Sequence, residues 1–161
     1  MNSVVLRLIN IIKYELEKDS TKTVIGKINP GTDDVNLIVS CYADFLRVCN
    51  GIRCGCIDLF GTNCILNNQY NVDYIEGGKK KWFCIGQVLY QPLVINLYTK
   101  DICLFYNSYF YKGYSEDKGW IILGEFDTFL VDYVFGKIYL ELTPDGENDK
   151  WYQFLKQINL I

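Results

Sequence analysis

The sequence contains no histidine. That absence removes the Ser-His-Asp and Cys-His arrangements, the HExxH zinc motif and all imidazole proton transfer. Neither a GxxxxGK[ST] loop nor a GxGxxG turn is present, and no phosphate-binding pattern follows Gly77-Gly78 or Gly113. No apolar run approaches the roughly 18 to 20 residues that a membrane span needs. The N-terminal stretch MNSVVLRLINIIKYELEKD is interrupted by Arg7, Lys13 and Glu15, and it lacks the basic n-region and small-residue cleavage site of a signal peptide. A cytoplasmic chain is therefore expected. A strong charge is missing too. The net charge of −3 gives no general attraction to nucleic acid or to anionic membranes, and any preference it sets is for a basic partner. There is no repeat, linker or low-complexity tract.

What is present argues for one folded domain spanning residues 1–161. Half of the 161 residues are hydrophobic and 16% are aromatic, enough for a sizeable core. The seven cysteines are odd in number and irregularly spaced, which fits a reducing compartment better than a disulfide framework. Cys54-Gly55-Cys56 is a short-spaced pair, but no second pair completes a four-ligand zinc set. On a strand, Cys54 and Cys56 would share a face with Asp58 and Phe60. Cys41 and Cys49 fall in a helical stripe, and Cys84 and Cys103 fall in apolar runs. The cysteines read as core thiols, with no metal, cofactor or disulfide expected. The adjacent acids Asp33/Asp34 and Glu116/Asp117 read as solvated or capping groups.

The hydrophobic period gives the order of elements. Val4, Val5, Leu8, Ile11, Ile12 and Leu16 predict an amphipathic helix over residues 3–18. Pro30-Gly31 marks a turn. Thr32 and Asp33 could cap a second helix with the stripe Ile38, Cys41, Tyr42, Phe45, Cys49, ended by Asn50-Gly51. The period then changes to two. Residues 54–60 predict a strand, and residues 65–75 are ambiguous up to Gly77-Gly78. Trp82 to Val88 predicts a strand, and Gln91-Pro92 a break. LVINLY (93–98) and ICLFY (102–106) predict a hairpin near the sheet centre. Residues 107–119 read as a polar, tyrosine-rich loop. Phe126, Phe129, Leu130, Tyr133 and Val134 predict a short helix stopped by Gly136. Residues 137–143 suggest another strand, 144–149 an acidic loop, and Trp151, Phe154, Leu155 and Ile158 a last helix. The order of two helices, then strands, then helices is an α+β pattern.

The segment CYADFLRVCNGIRCGCIDLFG resembles the signature of the SUKH superfamily, which includes the yeast cell-wall assembly regulator and many bacterial immunity proteins. Tyr42, Phe45, Leu46, Asn50, Gly51, Ile57 and Phe60 follow its pattern of an aromatic-x-x-Phe-Leu helix, Asn-Gly and a strand ending near Phe. WFCIGQV, with Ile85 and Gly86, looks like its Ile-Gly strand. LVINLY with ICLFY looks like its central hairpin, and FDTFL, with Phe126, Phe129 and Leu130, like its late helix. The likeness covers about residues 30–135. The family helix often begins with Leu-Pro, where this chain has Asn36-Leu37-Ile38-Val39.

The resemblance implies a single α+β domain, with a mostly antiparallel sheet of about four to six strands and helices packed against it, that binds protein and is non-catalytic. Bacterial members are commonly immunity proteins that neutralise a cognate polymorphic toxin, often a nuclease, by stoichiometric occlusion. The implied partner is a basic toxin domain, with no direct binding of nucleic acid or membrane. Two other readings stay open: a regulatory scaffold in cell-wall or envelope growth, and a small-ligand-binding domain or enzyme whose pocket is not visible in sequence. For a partner-binding surface, the candidates are Tyr109, Tyr111 and Tyr114 beside Glu116 and Asp117, because tyrosines contribute large contact area at small entropic cost. A second candidate is Asp145, Glu147 and Asp149 with Glu141 nearby, although Asp149 is also placed to cap the last helix.

Overall fold

The computed structural model describes residues 1–36, 39–105 and 119–161. Among these, seven strands form one antiparallel sheet whose spatial order follows the chain: β1 (Gly26–Ile28), β2 (Ile52–Cys54), β3 (Ile57–Leu59), β4 (Trp82–Val88), β5 (Gln91–Asn96), β6 (Ile102–Phe105) and β7 (Trp120–Gly124). The helices are α1 (Ser3–Glu17), α2 (Ser40–Val48), the single turns α3 (Gly78–Lys81) and α4 (Phe126–Thr128), and α5 (Lys150–Gln157). The arrangement is α+β, with one strand more than the upper end of the expected range. None of the described helices is long and apolar enough to cross a membrane.

The two faces of the sheet carry different cores. On one face, α1 buries Val5, Ile9, Ile12 and Leu16, and α2 buries Tyr42, Phe45 and Leu46. They join Ile52, Ile57, Ile85, Ile95, Leu104, Trp151 and Leu155 in the main cluster. On the other face, a smaller cluster holds Trp82, Cys84, Val94, Cys103 and Phe105 under Val72 and Ile75. The cover over this second cluster is the segment between β3 and β4, with tight turns over Asn67–Val72. The ambiguous stretch 65–75 is thus a lid of short turns that buries Val72 and Ile75 on its inner side and leaves Leu66, Tyr70 and Tyr74 exposed, a mixture that hides any period.

Several expectations are corrected. The second helix starts at Ser40, and Thr32 and Asp33 do not cap it. Residues 30–32 lie instead against its far end: the Thr32 N–H donates to the Leu46 carbonyl (3.1 Å) and the Asn50 N–H to the Pro30 carbonyl (3.2 Å). A segment that satisfies the last carbonyls of a helix cannot also begin that helix. Ile38, assigned to its stripe, lies outside the described residues. The strand expected over 54–60 is a hairpin, β2 and β3, turning at Gly55-Cys56. Gly55 has φ 58° and leaves no room for a side chain, since a Cβ there would lie 2.0 Å from the Tyr139 hydroxyl. Cys54 and Cys56 therefore do not share a strand face.

The break expected at Gln91-Pro92 falls two residues earlier, at Leu89-Tyr90, and β5 runs through Pro92. Pro92 stands ahead of Leu93, the first β5 residue paired with β6, so its missing N–H interrupts no central ladder. Residues 137–143 form no strand. Lys137–Glu141 is a tight 3-10 turn, with N–H bonds from Tyr139 to Gly136 and from Leu142 to Tyr139, so the buried positions repeat every three residues. The late helix continues from α4 into a wide π-turn over Phe129–Val134 and ends before Gly136. The first helix, β4, the β5–β6 hairpin and α5 stand as expected.

Candidate functional site

The residues that carry the family resemblance are far apart in sequence and close together in space. Tyr42, Phe45 and Phe126 form a triangle of rings with centroids 5.4 to 5.5 Å apart. The Tyr42 hydroxyl donates between two carbonyls, 2.7 Å from that of Phe60 and 2.9 Å from that of Ile85. One phenol thereby joins α2, the end of β3 and the middle of β4. Burial pushes its ionisation well above the usual phenol range, so it stays a donor at any ordinary pH. Leu46, Phe129 and Leu130 are fully buried in the same cluster, and Gly86 pairs with Leu59 across β3 and β4. Asn50 fixes the turn after α2: its side-chain oxygen accepts from the Thr62 N–H (2.7 Å) and its amide donates to the Thr62 hydroxyl (3.1 Å). Gly51 follows at φ 87°, two residues beyond Cys49, the extended residue at which α2 itself ends, so its left-handed backbone serves the turn toward β2 and not the helix cap. The ring triangle with Leu46, Phe129 and Leu130 is a packed, hydrogen-bonded centre that sets shape, while Asn50, Gly51 and Phe60 at its border line a cleft of about 280 Å³ with Asn29, Arg53 and Asp58.

The cysteines fit the core reading. Cys49, Cys54, Cys84 and Cys103 are buried, and Cys41, Cys56 and Cys64 are half-buried. Burial raises the Cys49 and Cys84 thiols to about 11 and the Cys103 thiol to about 12. Thiols held protonated in this way are poor nucleophiles and poor metal ligands at neutral pH.

Tyr109, Tyr111, Tyr114, Glu116 and Asp117 lie outside the described residues. The topology still fixes where the flanking strands end. In an antiparallel meander the β2–β3, β4–β5 and β6–β7 connections leave from one end of the sheet. Phe105 and Trp120, paired at the close of β6 and the start of β7, stack at 5.8 Å at that end. The start of β1 is there as well, because the Gly55 N–H donates to the Ile25 carbonyl at 2.9 Å. The two neighbouring turns are tied together by the Leu89 N–H, which donates to the Cys56 carbonyl at 2.7 Å. Val24, Gly55-Cys56 and Leu89-Tyr90 thus form a row along the sheet end. Three of these side chains face solvent: Val24 is 76% exposed, Leu89 43% and Tyr90 89%.

The second candidate, the acidic loop, borders the same row. Asp145, Asn148 and Lys150 line a cleft of about 240 Å³ together with Val24, Ile25 and Gly55. Glu141 precedes Leu142, whose carbonyl lies 3.8 Å from the Cys56 sulfur. The acids divide by role. Asp149 is buried and caps α5, accepting from the Trp151 and Tyr152 N–H groups (2.8 and 3.1 Å), while its other oxygen accepts from the Thr143 hydroxyl (3.0 Å). Glu147 pairs with Lys156 at 3.3 Å. Glu141 and Asp145 are exposed and take part in no ion pair among the described residues.

Sequence reasoning missed Val24, Leu89 and Tyr90. A signal was available: exactly two residues separate the apolar runs Trp82–Val88 and Gln91–Asn96, the length of a tight hairpin turn. Among the described residues, no group of three or more Cys, Asp or Glu side chains is placed to hold a metal ion. No family model matches the chain, and no curated protein matches it.

Proposed function

We propose that this chain is a SUKH-type protein-binding domain that neutralises one cognate basic toxin domain, a nuclease in the commonest case, by forming a one-to-one complex without modifying it. The observation that carries this reading is the meeting of the signature residues in one core knot. Tyr42, Phe45, Phe60, Ile85 and Phe126 come from four separate stretches, and the Tyr42 hydroxyl bonds join three of them. The absence of histidine, the raised thiols and the shape-setting character of the knot support binding over turnover. The mild acidity supports a basic partner.

The test is co-expression with the polypeptide encoded beside this chain, together with calorimetry on the purified pair. Growth protection and binding near one-to-one are expected. Neither protection nor binding would overturn the reading. Binding that depends on catalytic turnover, with one molecule of this chain disarming many toxin molecules, would also overturn it.

A further inference from the structure

Two-residue hairpin turns favour Asn-Gly, Asp-Gly or a leading glycine, because the first turn residue needs a positive φ. The β4–β5 turn instead carries Leu89-Tyr90, bracketed by the Val88–Gln91 pair, with Leu89 at φ 57°. A leucine rarely adopts that conformation, and packing does not compensate for it here, since Leu89 is 43% and Tyr90 89% exposed. The fold would be served better by the usual turn residues. The two large side chains are held out into solvent in the same row as exposed Val24, which shares a cleft with Asp145. Asp145 and Glu141 are exposed and in no ion pair among the described residues.

We propose that this end of the sheet is the docking surface for a cationic protein partner, with Leu89 and Tyr90 as its apolar centre and Glu141 and Asp145 as its steering rim. The inference rests on the binding function proposed above and gives that function a location. The occupant follows from charge. Asp145 lines the cleft at the Val24 end of the row with Lys150, exposed Glu141 precedes Leu142 beside Cys56, and Arg53 donates to the Thr23 carbonyl at 2.7 Å. With a net charge of −3 on the chain, the exposed acids are the groups that would meet a lysine- or arginine-rich surface. Tyrosine is suited to the central place because it buries a large ring at the entropic cost of two torsions.

The probe is the purified polypeptide encoded beside this chain. Leu89 alone of the two turn residues has a positive φ, so a leading glycine suits the turn. Replacing Leu89-Tyr90 by Gly-Asn is expected to raise the urea midpoint of this chain while weakening the complex by roughly 30-fold or more. Tyr90→Ala, which leaves the Leu89 backbone as it is, is expected to weaken the complex similarly at an unchanged midpoint. Glu141→Gln with Asp145→Asn should slow association at low salt and match the wild type near ~0.5 M salt, where exposed charges are screened. Turn variants that bind as tightly as the wild type would overturn the surface while leaving the binding function standing. A wild type that does not bind would overturn both. Self-association of the wild type that Tyr90→Ala abolishes would make this end a contact between copies of this chain and would overturn the cationic partner.

Discussion

Tyr42 is the residue on which the centre of the fold turns. Its ring belongs to the α2 face, while its hydroxyl reaches carbonyls on two strands that α2 does not precede directly. Tyr42→Phe keeps the ring triangle and leaves two inner carbonyls without that donor. The expected cost is about 1 to 2 kcal/mol in urea denaturation, against no change for Tyr98→Phe at an exposed site. The buried thiols give a second prediction. Cys49 and Cys84 titrate near 11 and Cys103 near 12 in the folded chain, against 9.0 for a free thiol. Between those values the native state holds protons that the unfolded chain has lost, so the thiols' contribution to stability is constant below about pH 9 and falls above it. Each such thiol contributes a slope of up to about 1.4 kcal/mol per pH unit across its window. The buried phenols of Tyr42 and Tyr139 act in the same direction. Urea midpoints from pH 8 to 11 should show this decline, and Cys84→Ala should flatten it. A profile level to pH 11 would mean that the thiols are not buried in solution.

At the scale of elements, the legible parts were those whose signal is local. The α1 stripe repeats over four turns, β4 and the β5–β6 hairpin are near-continuous apolar runs, and Asn50-Gly51 supplies the turn after α2 with a side chain that holds Thr62 and a left-handed glycine. The illegible parts depend on partners. β1 is three residues long and includes Gly26, whose place is set by Trp151: a Cβ on Gly26 would lie 2.5 Å from that ring. β7 leaves Ile122 exposed and so shows no clean alternation. The true β4–β5 turn was hidden because Leu89-Tyr90 breaks turn chemistry while Pro92 beside it looks like punctuation. The sheet-end row could not be read at all, since it appears only when register sets three separate connections side by side. Two element ends can be compared directly. Gly51→Ala would force a Cβ to 2.8 Å from the Gly61 nitrogen at φ 87°, whereas Gly146 at φ 55° has nothing within 4 Å of the added atom. Gly51→Ala should cost on the order of 2 kcal/mol or more, and Gly146→Ala only the backbone term of about 1 kcal/mol. Equal midpoints for the two variants would show that the turn after α2 can yield.

The whole molecule is a single sheet with a large core on one face and a small one on the other, and the two are built differently. The main core is closed by helices that bury long stripes. The small core is closed by the turns between β3 and β4, and its fastening is largely one side chain. Beyond the reach of β3, the Cys84 N–H donates to the Gln69 side-chain oxygen at 3.0 Å, and the Gln69 amide donates to the carbonyls of Cys84 and Ile65, both at 2.8 Å. Gln69 thus stands in for a missing strand neighbour of β4. The Trp82 indole adds a bond to the Glu76 carbonyl at 2.8 Å. A cover held by a few polar bonds over a small apolar area should open at lower free energy than the helix-covered face. In native-state hydrogen exchange, amides within residues 67–75 are expected to exchange faster than those of β4 and β5 that pair with each other. Gln69→Ala should accelerate the cover amides and that of Cys84 by tenfold or more, for a loss of about 1.4 kcal/mol or more, while leaving the α1 amides unchanged. Acceleration by one common factor across cover, sheet and α1 would show instead that both faces open together, and the two-core description of the molecule would have to be replaced by a single cooperative unit.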